Sequence, residues 1–172
     1  VCVSNSGHVL VYQYSSGSWI KLGDDIDGEA SNDYSGSSVS LISDGTTLAI
    51  GAFLNDGGGY NSGHVRVYEY VGSSWVQYID DIDGEADNNF GRSVSLSGDG
   101  TKVAIGAPLD PYGPSGNGYV RVYDIEISVI NSVSLAADNS TITVTTSLGV
   151  SSSNVGLSDL VASNFELSIS GG

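Results

Sequence analysis

Basic side chains are nearly missing from this chain. Five lysines and arginines stand against twenty aspartates and glutamates, for a formal net charge of −15. A surface of that sign repels nucleic acid and anionic membranes, so neither is an expected partner. It suits high salt, divalent cations or a basic partner, and it also serves plain solubility. Cysteine occurs once, at Cys2, which excludes an internal disulfide. Methionine is absent even at position 1, as expected of a processed chain or a piece of a longer one. No apolar run of about 18 residues is present, so no membrane insertion by a helix is expected. No long stretch repeats its apolar residues every 3.6 positions, which leaves little room for helix. What abounds instead is glycine, 24 residues, with serine, threonine, valine and tyrosine. That is the composition of short strands joined by tight turns, and the expected fold class is all-β.

Self-comparison of the 172 residues is the most productive step. The stretch GHVLVYQY at Gly7–Tyr14 recurs as GHVRVYEY at Gly63–Tyr70 and as GYVRVYDI at Gly118–Ile125. Between these copies the chain reads as further short strands. Ser38–Leu41 matches Ser93–Leu96, and Thr47–Ala52 matches Lys102–Ala107. The Asp-Gly turns Asp44-Gly45 and Asp99-Gly100 join them, both central positions tolerating positive φ. After the repeated strand, Trp75–Tyr78 matches Trp19–Leu22, and then comes a heptapeptide, DDIDGEA, identical at Asp24–Ala30 and Asp80–Ala86. The second period is one residue shorter than the first, which is explained by matching Tyr34–Leu41 to Phe90–Leu96. Four antiparallel strands per period predict propeller blades, about two and a half of them over residues 1–125. Val65 and Val67 then point to one neighbour, and Arg66, Tyr68 and Tyr70 to the other. The Gly-Ala pairs that end the second strand suit a crowded inner rim.

Here a resemblance becomes specific. Asn89-Phe90-Gly91, a short strand, a turn and Val103-Ala104-Ile105-Gly106-Ala107-Pro108 resemble the FG-GAP repeat, which builds the β-propeller of integrin α-subunits and of many surface proteins. The earlier copy is looser, with Tyr34-Ser35-Gly36 for Phe-Gly and Gly51-Ala52-Phe53 for Gly-Ala-Pro. The resemblance implies a propeller fold and says less about function. The family often carries an Asp-x-Asp-x-Asp-Gly calcium loop between the first two strands of a blade. The matching turns here hold one carboxylate each, Asp44 and Asp99, too few for an ion that takes six to eight oxygens.

The heptapeptide poses a choice between a metal site made twice and the joint of a repeating fold. Aligned on an EF-hand with its glycine at position six, it lacks ligands at positions one and twelve. The preferred reading is a blade-to-blade crossover with Ile26 and Ile82 as buried anchors and the carboxylates in solvent. Its alternative is weak calcium binding through mixed carboxylate and carbonyl oxygens. The candidates are Asp25, Asp27 and Glu29 in one copy and Asp81, Asp83 and Glu85 in the other. Nothing calls for an organic cofactor. His8 and His64 fall at one repeat position, which suggests a repeated packing role, and Cys2 has no histidine near it in sequence. The serines sit in no G-x-S-x-G context, and the glycines of Gly57–Gly63 precede a strand, unlike a phosphate cradle. Trp19 and Trp75 pack on a neighbouring blade or, exposed, stack on sugar rings.

Past Tyr123 the pattern changes. Residues 126–172 contain no basic side chain. Ser132–Ser147 reads as a hairpin about Asp138-Asn139, and Asn164–Ile169 as another strand. This tail is similar to the opening of a bacterial-type immunoglobulin-like domain, a partial β-sandwich. The blades are incomplete as well, so missing flanking blades or other chains are expected to complete the sheets. No catalytic constellation is visible, and the expected function is non-enzymatic. Adhesion, recognition or structural assembly at an extracellular, cell or virion surface fits, with a protein or glycan ligand. The alternatives are a carbohydrate-binding or accessory module of a larger secreted hydrolase or lyase, and a virion surface or fibre protein.

Overall fold

The computed structural model describes residues 3–109 and 116–125, with the backbone of two later strands, Val129–Leu135 and Ile142–Ser147. The chain divides into two units, Val1–Ile125 and Glu126–Gly172. The first unit holds twelve strands in chain order. They are β1 (His8–Val9), β2 (Tyr12–Ser15), β3 (Ser18–Lys21), β4 (Ile26–Asp27), β5 (Ser38–Leu41) and β6 (Thr47–Ala52). There follow β7 (His64–Val71), β8 (Ser74–Gln77), β9 (Ile82–Asp83), β10 (Ser93–Leu96), β11 (Lys102–Ala107) and β12 (Tyr119–Asp124). The described residues contain no helix, and every pairing between these strands is antiparallel. The fold is all-β, a partial propeller of the predicted kind.

The most complete sheet runs β5-β6-β7-β8, with β9 also on β7. The outer edge of β7 is shared. Its second half pairs with β8, from Tyr68↔Gln77 to Val71↔Ser74, and its start pairs with β9, as His64↔Asp83 and Val65↔Ile82. The fourth strand is thus one strand broken at Tyr78–Asp81, held across the break by Tyr78 N–H donating to the Val67 carbonyl at 2.8 Å. The preceding copy repeats this, with β1 on β4, β2 on β3, and Leu22 N–H donating to Val11. The heptapeptide is therefore only partly a crossover. Its Ile-Asp pair completes the fourth strand, and the connection to the next sheet begins at its glycine. Ile26 is buried at 7 % exposure, whereas Ile82 is half-buried against the core. Of the six candidate carboxylates, only Asp81 is not classed as exposed.

The alternation of side chains along β6 and β7 makes this sheet two-faced. Leu48, Ile50 and Tyr68 pack with Ile26 toward the copy before it. Ala49, Val65 and Val67 pack with Val103, Ile105 and Phe90 toward the sheet β10-β11-β12. Val65 and Val67 are fully buried, as a strand covered on both sides requires. Their counterparts on β12, Val120 and Val122, are 68 % and 64 % exposed. The sheets also touch through backbone: a Cβ on Gly51 would lie 2.2 Å from the Gly91 carbonyl oxygen, and the Ser38 hydroxyl donates to that same oxygen at 2.7 Å. The Gly-Ala pair does sit where backbones crowd.

Two local expectations are corrected. Phe90 does not take the place of Tyr34. Tyr34 N–H donates to Asn5 and Ser35 N–H to Ser6, while Asn89 N–H donates to Asn61 and Phe90 N–H to Ser62. Phe90 therefore stands at the position of Ser35, and Tyr34 at that of Asn89, both of these with φ near +55°. The extra residue of the first copy falls earlier, after Glu29. Tyr34 is 42 % exposed, while Phe90 is completely buried beside Tyr119 and Tyr123, with ring centroids at 6.3 and 6.1 Å. The Asp-Gly turns also differ: Gly45 and Gly100 alone take positive φ. Asp44 and Asp99 instead accept from the backbone and hydroxyl of Thr46 and Thr101, tying the loop from within.

In the second unit β13 (Val129–Leu135) and β14 (Ile142–Ser147) pair antiparallel with an irregularity between Ile130 and Ser132. The Asp138-Asn139 turn and the strand expected at Asn164–Ile169 lie outside the described residues, as does Cys2.

The register of the Phe-Gly pair is tested by truncation. Phe90→Ala should cost about 3–5 kcal/mol, the range for emptying a buried aromatic site, whereas Tyr34→Ala should cost less than about 1 kcal/mol. Urea denaturation of the two variants measures both, and equal losses would reject the alignment.

Candidate functional site

The glutamates of the heptapeptides act between sheets. The glutamate that follows each fourth strand reaches the arginine on the third strand of the next sheet. Glu29 pairs with Arg66 of β7, and Glu85 Oε1 with Arg121 Nη2 of β12 at 2.7 Å. The Arg121 pair is on the surface, where such contacts add little. The Arg66 side chain is only 12 % exposed and holds a second carboxylate as well.

That second carboxylate is Asp81, in the break between β8 and β9. Arg66 Nε donates to its Oδ1 and Oδ2 at 3.2 and 3.3 Å, and Gln77 Nε2 donates to Oδ1 at 2.6 Å. The antiparallel start of β7 places His64 beside them. His64 is 3 % exposed, and its Nδ1 lies 3.6 Å from Asp81 Oδ2 and 3.8 Å from Glu29 Oε2. That nitrogen is buried and has no hydrogen-bond partner. Among the described residues, Glu29, His64 and Asp81 form the one group of three metal-ligating side chains whose donor atoms lie within 4.8 Å of one another. Buried Asp33 stands behind them. It accepts from Ala30 N–H at 3.1 Å and from Asn55 Nδ2 at 2.9 Å, and the same amide nitrogen lies 3.5 Å from Glu29 Oε2.

The electrostatics follow from the burial. Loss of water pushes the His64 pKa below its ordinary 6.5, while the carboxylates of Asp81, Asp83 and Asp33 pull against it. The Asp83 carboxyl is pushed above 3.8, first by burial and then by Asp81, with His64 and Arg66 opposing. At neutral pH the ring is uncharged and keeps a nitrogen lone pair. A neutral imidazole and two carboxylate oxygens around one point can hold a cation. With Arg66, the same carboxylates clamp one sheet to the next.

The six acidic candidates do not gather copy by copy. Asp25 pairs with Lys21, four residues before it. Asp27 and Asp83 lie in β4 and β9 opposite His8 and His64, and Glu85 is held by Arg121. Glu29 from the first heptapeptide and Asp81 from the second meet instead. His64, Arg66, Asp33 and Asn55 were not singled out from the sequence as site residues. The available signal was the difference between copies. His64 is replaced by Tyr119 and Asp33 by Asn88, and there Asn88 Nδ2 donates to the Tyr119 hydroxyl at 2.8 Å. The second junction is neutral at the two places where the first is ionisable. His8, the counterpart in β1, is exposed.

The tryptophans separate in the same way. Trp75 Nε1 donates to the Leu22 carbonyl at 2.9 Å and its ring covers Gly23. Trp19 is 69 % exposed, with Tyr14 tilted against it at 5.3 Å.

A family model described as FG-GAP repeat matches residues 26–68 and 76–123. The matched stretches start at the end of one sheet and run through the third strand of the next, so each spans one junction. No curated protein matches this chain.

The His64 shift has a checkable sign. Below about pH 6.5 the unfolded chain binds a proton that the folded chain resists, so stability falls as pH drops through that range. Asp83, shifted the other way, favours the folded state as it protonates above its ordinary 3.8. Melting temperature should decline from about pH 7 to pH 5.5, and His64→Gln should flatten that decline. An unchanged slope in the variant would show that another group carries it.

Proposed function

The chain belongs to the FG-GAP repeat family, and from that premise we propose that it is a non-enzymatic recognition segment of a surface-exposed protein. FG-GAP domains are generally non-enzymatic and typical of extracellular proteins. No helix among the described residues is long and apolar enough to cross a membrane. The reading is carried by one observation. The side chains with chemical potential are engaged at the junctions between sheets, while the β2–β3 hairpin presents an aromatic face to solvent. Tyr12, Tyr14 and Trp19 share that face and are all exposed. Two tilted rings with polar edges form a surface on which a sugar ring or an apolar protein side chain stacks. The strong negative charge around it favours a neutral glycan or a basic protein over an anionic ligand.

A glycan is favoured as ligand because Tyr14 and Trp19 lie side by side on neighbouring strands, in register at Tyr14↔Trp19. In the following copy the equivalent pair, Tyr70 and Trp75, is partly covered by the copy before it, where Trp75 packs on Leu22 and Gly23. The location that fits is outside the cell or on a particle surface.

Binding to an array of neutral and acidic glycans tests this. The wild-type chain should be retained on neutral sugars, and Tyr14→Ala with Trp19→Ala should abolish retention while shifting the melting temperature by no more than a few degrees. Retention by the double variant would reject the aromatic face as the site. Turnover of any retained glycan would overturn the non-enzymatic reading.

A further inference from the structure

We propose that Glu29, His64 and Asp81 form a binding site for a zinc-class divalent transition metal at the junction of the first two sheets. Three observations support it. First, the donors are spaced for it. A tetrahedral ion with bonds of about 2.1 Å separates its ligands by about 3.4 Å, and His64 Nδ1 stands 3.6 and 3.8 Å from the two carboxylate oxygens. The three donor atoms lie within 4.8 Å of one another, and the half-exposed Glu29 side chain can move to close the set.

Second, His64 Nδ1 is a buried polar atom with no hydrogen-bond partner. A native interior rarely leaves such an atom unpaired, because the loss of water goes uncompensated. It faces two carboxylates, and a cation between them satisfies all three. Third, the carboxylates are already oriented. Arg66 holds Glu29 through Oε1 and Gln77 holds Asp81 through Oδ1, while Oε2 and Oδ2 face the imidazole; Oδ2 also accepts from Arg66 Nε at 3.3 Å and Oε2 from Asn55 Nδ2 at 3.5 Å, long contacts that an ion would displace. Hydrogen bonding to the non-ligating oxygens is how metal sites fix their ligands. Arg66 adds a positive charge that opposes the ion, and the nearby carboxylates of Asp33 and Asp83 offset it.

The donor set also selects the ion. Calcium wants six to eight oxygens, whereas three donors that include an imidazole suit zinc and its neighbours. The fourth position is left for water. The second junction has Tyr119 and Asn88 at the places of His64 and Asp33, so one ion per chain is expected from the described residues.

Chelator-treated full-length chain is titrated with zinc chloride by calorimetry, and the histidine ring signals are followed by NMR. The chain has two histidines, so His8 is an internal control. The expected result is one equivalent of zinc, movement of the His64 signals alone, and affinity at least about tenfold weaker in His64→Gln and Asp81→Asn. Asp25→Asn should bind as the wild type does. The proposal fails if zinc gives no saturable heat and His64 does not respond. It fails equally if calcium chloride binds as tightly as zinc, or if folded His64→Gln retains wild-type affinity. Should a variant not fold, the wild-type ring signals decide the matter alone.

Discussion

The first unit depends on a close approach of two backbones. The connector that leaves each fourth strand runs across the start of that sheet's own third strand at hydrogen-bonding distance. Gly84 N–H donates to the Gly63 carbonyl at 2.8 Å, and Phe90 N–H to Ser62 at 2.9 Å. A Cβ on Gly63 would sit 2.0 Å from the Phe90 carbonyl oxygen, and one on Gly91 would sit 2.5 Å from that of His64. Both glycines have φ above +69°, where side chains are strained. No other residue fits, and the rest follows from that contact. It delivers the Phe90 ring to the core and leads the chain into β10. It also brings the glutamate after each fourth strand within reach of the arginine on the next sheet.

Charge then distinguishes one junction from the other. At the first, Arg66 lies between two carboxylates with a neutral imidazole alongside; the imidazole and the guanidinium are largely out of water, and Glu29 is half-exposed. Such groupings contribute little net stability against a well-packed apolar alternative, since removing charges from water costs several kcal/mol per ion. Their effect is on geometry: a half-buried arginine holding two carboxylates fixes where both chains run. The second junction has the same backbone path with a tyrosine–asparagine hydrogen bond in place of the histidine and aspartate. The fold does not require the ionisable version, which makes its presence at one junction a local property.

The sequence disclosed the strands well because their apolar residues alternate and the copies repeat. Val65 and Val67 on one face and Tyr68 on the other follow from strand geometry alone. Aromatic identity points to Tyr34 as the counterpart of Phe90, whereas the backbone ladder places Ser35 there. The break at Tyr78–Asp81 was not legible either, since a heptapeptide looks like one unit while its Ile-Asp pair belongs to a strand. The cluster around His64 was the least accessible. It draws one carboxylate from each heptapeptide, and only the stacking of sheets brings residues so distant in sequence together.

The two faces of the central sheet are not alike. One offers Leu48, Ile50 and Tyr68, and the other offers Ala49, Val65 and Val67. Each sheet therefore meets the next head to tail, and the interface carries a direction. A directional contact of this kind has no built-in stopping point, unlike the self-matching face of a two-fold dimer. Whether successive copies return to the first or advance as an open spiral is set by the rotation from one sheet to the next. Val120 and Val122 on β12 stand on the face by which Val65 and Val67 of β7 meet the next sheet.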